Sequence, residues 1–191
     1  MKRIGLFGGS FDPVHLGHLL VAQAAREELN LDRLFFVPAA QSPFKPEQPP
    51  SPPHERVRLL RLALVNWDWC EVDEQELHRG GISFTIDTVR DYATRFAFAE
   101  LFYLVGADHA SELHKWRAAD ELARLAKFVV IPRPGQSAGT LPSPFCGLKL
   151  VGFPVAVSSS QIRARARGKL PLQPLVPAAV AEAIRNNGLY L

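Results

Sequence analysis

The stretch GGSFDPVHLGH, Gly8 to His18, puts two histidines three residues apart around a Leu-Gly step, soon after a glycine pair. Gly8 and Gly9 let a ligand approach the backbone without a Cβ in the way. A helix beginning nearby offers unpaired N–H groups and the positive end of its dipole, and both favour phosphate. At this spacing His15 and His18 straddle the start of that helix, so both imidazoles can face one anion. A metal pair would use the same spacing, but no third Cys, His or carboxylate follows at a telling interval. The glycines do not fall where the dinucleotide fingerprint needs them. Solvated or capping histidines are the plainer alternative.

A second anion site is suggested by VSSSQIRAR, where Ser158, Ser159 and Ser160 offer N-cap hydroxyls and Arg163 lies one turn into a helix. A capped helix with a solvated basic face explains the same residues, and Arg165, Arg167 and Lys169 are left to that explanation. Gly106 and Asp108 close an apolar run with a carboxylate, suited to ribose hydroxyls or to capping a helix. Trp116, in what reads as a helix, can stack on a flat heterocycle or fill the core. Lys45 sits in a proline-rich loop, where a cation can close over a polyphosphate or simply face water.

These residues need elements to hold them. Arg3 to Phe7 reads as a strand opening into the glycine loop, with a helix from about His18 to Leu29. Arg33 to Pro38 is a second strand. Seven of the sixteen prolines fall between Pro38 and Pro53, so that segment is neither helix nor central strand but a long, partly mobile loop. A helix follows with Val57, Leu60 and Leu64 on one face, then a weak strand from Trp69 to Glu74. A glycine turn leads to a helix that Ser83 or Thr85 can cap. Leu101 to Asp108 and Lys127 to Gly135 are apolar strands, with one helical stretch, HASELHKWRAADELARL, between them. GLKLVGFPVAVSSS supplies a last strand region, and Val176, Val180, Ala183 and Ile184 mark a C-terminal amphipathic helix ending at Gly188.

Short strands alternating with longer helices predict an α/β fold: a mainly parallel, doubly wound sheet covered on both faces. In such sheets the loops at the carboxyl ends of the strands meet at one crevice. Each unusual loop here follows a predicted strand, so they should converge. The 191 residues suffice for a single domain. Composition is that of a soluble globular chain, 47% hydrophobic and 21% charged. A net charge of +3 suits anionic small molecules and is too weak to argue for nucleic acid. Cys70 and Cys146 match no metal or redox spacing. Asp12 interrupts the N-terminus before a signal-peptide core could form, and no apolar run reaches a membrane span. The expectation is a cytoplasmic protein with no membrane partner.

In this order the segments resemble the nicotinate-mononucleotide adenylyltransferases, within the nucleotidyltransferases that carry an (H/T)xGH signature. GGSFDPVHLGHL is similar to the family's opening motif throughout, and VSSSQIRAR resembles its closing ISSTxIRxR. GISFTIDTV resembles GPSYTxDT, while LVGADHASELHKW, VVIPRPG and LVPAAVAEAIRNNGLY fall where the family has similar segments. The likeness spans nearly the whole chain. It implies one Rossmann-like nucleotidyltransferase domain over 1–191, with a loop at 39–53 and a helical part at 159–191. It also implies transfer of AMP from ATP to nicotinate mononucleotide, with Mg²⁺ carried by the ATP phosphates rather than by protein ligands. By the same resemblance, His15, His18 and Arg163 would be catalytic. Gly8, Gly9, Ser10, Phe11, Lys45, Gly106, Asp108, Ser159 and Ser160 would bind ATP. Thr85, Trp116 and Arg133 would bind the acceptor. One departure stands out: Phe44 takes a position where the family usually has histidine. Phosphopantetheine adenylyltransferases and cytidylyltransferases are poorer matches, and a non-catalytic nucleotide sensor would have no need of His15, His18 and Arg163.

Overall fold

The computed structural model describes residues 1–44, 47, 49–132, 134, 141–153 and 155–191. Six strands form one parallel sheet: β1 (Arg3–Gly9), β2 (Arg33–Pro38), β3 (Cys70–Val72), β4 (Glu100–Gly106), β5 (Lys127–Ile131) and β6 (Gly147–Lys149). Their spatial order is β3-β2-β1-β4-β5-β6, so the chain reverses its direction of travel between β1 and β4. That reversal is the switch point at which doubly wound sheets open a crevice. Register brings the strand ends level there. Phe7 pairs with Phe36 and Leu104, Gly9 with Pro38, and Gly106 with Ile131.

Strand residues alternate between two cores, as the two-residue period of a strand requires. Phe7, Leu34, Phe36, Phe102, Leu104 and Val129 face one side, under helices α1 (Leu16–Leu29), α2 (Pro53–Ala63), α7 (Ser159–Arg167) and α8 (Ala178–Asn186). Ile4, Leu6, Phe35, Leu101, Tyr103 and Phe128 face the other. There α4 (Thr85–Arg95), a 3₁₀ turn at Leu113–Lys115 and α6 (Ala119–Leu125) cover the sheet. Two short helices, α3 (Gln75–Arg79) and α5 (Ala107–Ala110), complete the helices among the described residues. No helix among the described residues is long and apolar enough to cross a membrane.

Several local readings of the sequence need correction. α1 begins at Leu16, not near His18, because His15 takes the extended N-cap conformation. The single helix expected after β4 is broken into α5, the 3₁₀ turn and α6. Leu113 and Trp116 turn inward to pack in the core beside Tyr103 and Phe128, and Ala118 takes a left-handed conformation (φ 53°) to restart the helix. Trp116 is therefore not helical; it is the extended residue closing the 3₁₀ turn. The third strand shrinks to Cys70–Val72. The last strand region is strand only over Gly147–Lys149, after which Gly152 (φ 62°) turns the chain. Glu28 holds that turn by accepting the Val151 and Gly152 N–H groups, each at 2.8 Å.

Candidate functional site

The loop Ser10–His15 leaves the end of β1 and turns tightly into α1. Phe11 adopts φ 46° and drives its ring into the core, where it packs against Phe7 and Phe36. A Cβ on Gly9 would lie 3.1 Å from that ring, and one on Gly8 would lie 2.6 Å from the Tyr103 Oη, so a side chain at Gly8 would require the Tyr103 hydroxyl to shift. Phe11 is 2% exposed, so its ring belongs to the core under the loop.

His15 caps α1 and His18 is the third residue inside it. The His15 N–H donates to His18 Nδ1 at 3.2 Å, closing a histidine version of a capping box. An Nδ1 that accepts must leave the ring hydrogen on Nε2, so neutral His18 presents an N–H donor from its far side. The two imidazoles stack with centroids 3.7 Å apart, and Phe11 and Phe7 hold His18 edge-on at 5.0 and 5.9 Å. A Cβ at Gly17 would sit 3.1 Å from the His15 ring, a close approach.

The N-terminus of α7 comes against this loop. Ser158 caps the helix and forms a capping box with Gln161. The Ser159 hydroxyl donates to the Pro13 carbonyl at 2.9 Å. Arg163 is not as free as the sequence suggests. Its Nη1 donates to the Asp12 carbonyl at 2.7 Å and its Nη2 to Ser160 Oγ at 3.4 Å, while the guanidinium still lines the cleft.

Across the crevice stands a second wall. Thr85 begins α4, whose N-cap residue is Phe84 and which no side chain caps. The capping expected of Ser83 or Thr85 is absent because both hydroxyls are committed elsewhere. Ser83 Oγ accepts the Ala40 N–H at 2.9 Å, and Thr85 Oγ1 lies 3.3 Å from the Tyr103 hydroxyl. Burial raises the Tyr103 pKa, so its hydroxyl keeps its hydrogen. Trp116 meets Tyr103 and Phe128 edge-on, each at 6.2 Å, and Phe44 stacks on His109 at 4.5 Å and leans toward Trp116 at 5.7 Å.

Both walls border one cleft of about 980 Å³. It brings together Gly8, Gly9, Ser10, Phe11, His15 and His18 with Ser159, Ser160 and Arg163, and these with Thr85, Gly106 and Trp116. Asp108 stands apart: it is exposed on α5, and only Gly106 and His109 of that segment line the cleft. Lys45 and Arg133 lie outside the described residues. Among the described residues no cluster of three His, Cys, Asp or Glu is placed to hold a metal ion.

The sequence did not point to the supports beneath the glycine loop. Asp12, 8% exposed, accepts the Ser51 N–H at 3.1 Å and the Tyr190 hydroxyl at 3.0 Å. Arg56 is fully buried, with Nε on the Ser51 carbonyl at 2.9 Å and Nη1 on the Ser10 carbonyl at 2.7 Å. Burial lowers its pKa while Asp12 opposes that shift. Glu76 and Tyr103, on the opposite wall, were also missed. An aromatic in a strand and charged residues within helices carry no local signal of a site.

A doubly wound sheet whose first loop carries a histidine pair at its switch point is the architecture of a nucleotidyltransferase, and residues 6–165 match the Cytidylyltransferase-like family. Relatives named "Probable nicotinate-nucleotide adenylyltransferase" align over almost the full chain. That of Opitutus terrae is 43% identical over 98% of this chain and 97% of its own. That of Shouchella clausii is 43% identical over 100% and 97%, and that of Thermus thermophilus 40% over 98% and 99%. The chain belongs to the nicotinate-nucleotide adenylyltransferase family. Its fold is shared with the Plasmodium falciparum nicotinic acid mononucleotide adenylyltransferase complexed with NaAD, at TM-score 0.81 and 17% identity, covering 100% of this chain and 98% of that one.

Proposed function

We infer that this enzyme transfers AMP from ATP to nicotinate mononucleotide, yielding nicotinate adenine dinucleotide (deamido-NAD) and pyrophosphate, a step of NAD biosynthesis. The observation that carries the reading is the joining, in one cleft, of the His15–His18–Arg163 group with the Thr85–Tyr103–Trp116 wall. The ATP phosphates lie over Gly8, Gly9, Ser10 and the Phe11 backbone at the start of α1. His15, His18 and Arg163 bear on the reacting phosphates, with Ser159, Ser160 and Lys45 alongside, and Gly106 on the nucleoside side. Mg²⁺, held by the ATP phosphates rather than by protein ligands, would offset phosphate charge. Thr85, Trp116 and Arg133 hold the acceptor.

The acceptor's phosphate monoester attacks the α-phosphorus. Its second pKa is near 6, so it is already ionised at neutral pH and needs no general base. Catalysis is then positioning plus neutralisation of charge on an in-line transition state, with no covalent intermediate. The Nε2–H of His18, held outward by its Nδ1 bond, suits that task. We place the activity in the cytoplasm, where the two free thiols persist reduced; burial pushes that of Cys70 up to about 12.

The acid and amide forms of the acceptor differ only in a carboxylate against a carboxamide. A pocket of hydroxyl and backbone N–H donors favours the carboxylate, because the amide NH₂ would face other donors. Pyrophosphate release with each acceptor at matched ATP should favour nicotinate mononucleotide by at least about a hundredfold in kcat/KM. Comparable values for the two would turn the reading into a dual-specificity adenylyltransferase. Heat of ATP binding without pyrophosphate release would make the chain a sensor.

A further inference from the structure

Glu76 is a carboxylate in the wall of a cleft whose substrates are anions, yet no phosphate chemistry calls for it there. It is 6% exposed, and burial raises its pKa. Its Oε1 is directed into the wall. Thr88 Oγ1 donates to it at 2.5 Å, and the Ser83 hydroxyl lies beside the carboxylate and favours its charged form. Both hydroxyls are oriented as donors by groups that donate to them. Arg79 Nη2 donates to Thr88 Oγ1 at 3.0 Å, and the Ala40 N–H donates to Ser83 Oγ at 2.9 Å. Each hydroxyl oxygen is thus engaged as an acceptor, which leaves its own hydrogen for Glu76.

Ser83 and Thr88 bracket Thr85 at the start of α4, a helix without a side-chain cap of its own. One carboxylate, reaching over from α3, is bonded to one flank of that turn through Thr88 and lies beside the other at Ser83. We propose that Glu76 is a positioning residue that fixes the Thr85 hydroxyl and the first N–H groups of α4, and so sets the discrimination between acid and amide acceptors. The proposal rests on the functional reading above. With the Thr88 hydroxyl hydrogen drawn to Oε1, that side of the carboxylate is held within the wall rather than toward the acceptor. Removing it leaves the Thr88 hydroxyl hydrogen without its acceptor and loosens the turn that carries Thr85.

The test is steady-state pyrophosphate release for Glu76→Ala and Glu76→Gln with ATP and each acceptor. Glu76→Ala should raise KM for nicotinate mononucleotide about tenfold or more while KM for ATP stays within about twofold, and the acid-to-amide ratio should fall by about tenfold. Glu76→Gln, of the same shape with one acceptor oxygen kept, should fall between, and it carries the same test if the alanine variant does not fold. Equal changes in both KM values, or an unchanged ratio, would reduce Glu76 to a structural support and overturn the proposal. A ratio that rises would overturn it too, because the carboxylate would then be acting on the acceptor directly. If the unaltered protein turns over neither acceptor, the functional reading falls and takes this proposal with it.

Discussion

The Tyr190 hydroxyl donates to the Asp12 carboxylate at 3.0 Å, joining residues 178 positions apart. Asp12 also takes the Ser51 N–H on its other oxygen and the Arg163 guanidinium on its backbone carbonyl. The loop under the histidine pair is thereby tied to the proline-rich loop, to α7 and to the end of the chain. Burial, with Asp12 beside it, raises the Tyr190 pKa, so the hydroxyl stays a donor at neutral pH.

Tyr190→Phe should therefore cost about 1.5–3 kcal/mol of stability, the range for a hydrogen bond to a charged group. It should also lower kcat modestly, because the loop that carries His15 loses one of its ties. Denaturant unfolding and pyrophosphate release check both effects. Unchanged stability would mean water replaces the phenol at no cost.

Much of this arrangement is legible in the sequence, and the limits have physical causes. Gly8, Gly9, His15 and His18 are close in the chain, and Ser159, Ser160 and Arg163 open a recognisable helix. Alternation in LFYLVG and KFVVI gives the strands. Tyr190 to Asp12, by contrast, is a pairing of tertiary packing with no local period. Arg56 sits among Val57, Leu59 and Leu60 in a helix where an arginine reads as solvated, yet it is fully buried. The broken helix around Trp116 shows packing on Tyr103 and Phe128 overriding helical propensity, which residue pattern cannot weigh.

Arg163 differs from its neighbour Arg165 in what it touches. Arg163 bridges the Asp12 carbonyl and the cleft, whereas Arg165 donates to the Pro171 carbonyl on the surface. Arg163→Lys keeps the charge but cannot hold the carbonyl and a phosphate with one planar fork, so turnover should fall by about tenfold or more. Arg165→Lys should be nearly silent. Equal losses in the same assay would mean that α7 acts only through diffuse charge.

Asp73 offers a pH test of stability away from the cleft. Burial alone would raise its pKa, but hydrogen bonds from Tyr92 at 2.6 Å, Arg95 at 2.7 Å and the Gln75 N–H at 3.0 Å outweigh that and hold it below 3.8. A depressed carboxylate contributes stability above its unfolded pKa and loses it as pH falls through the folded one. Asp73→Asn should thus be less stable than the parent by about 1 kcal/mol at pH 7, a figure kept small because Arg95 is partly exposed. The gap should persist to about pH 5 and close only below the ordinary carboxylate range. Urea unfolding of both proteins from pH 7 to pH 3 would show it, and a gap independent of pH would assign the effect to shape rather than charge.

His18 carries the sharpest test of the chemistry. Its ring is held from three sides: the His15 N–H on Nδ1, the stacked His15 ring and the edges of Phe7 and Phe11. A donor so fixed needs no reorganisation when charge develops on the transferring phosphate, which is where preorganised groups are most effective. His18→Ala should lower kcat by about two to four orders of magnitude and change KM for ATP far less. The substitution also removes packing against the two phenylalanines, so its melting temperature must be measured beside its turnover. A destabilised variant with near-normal kcat would leave His18 a helix-capping residue. A loss of kcat in a variant that melts close to the parent would assign it to the transition state.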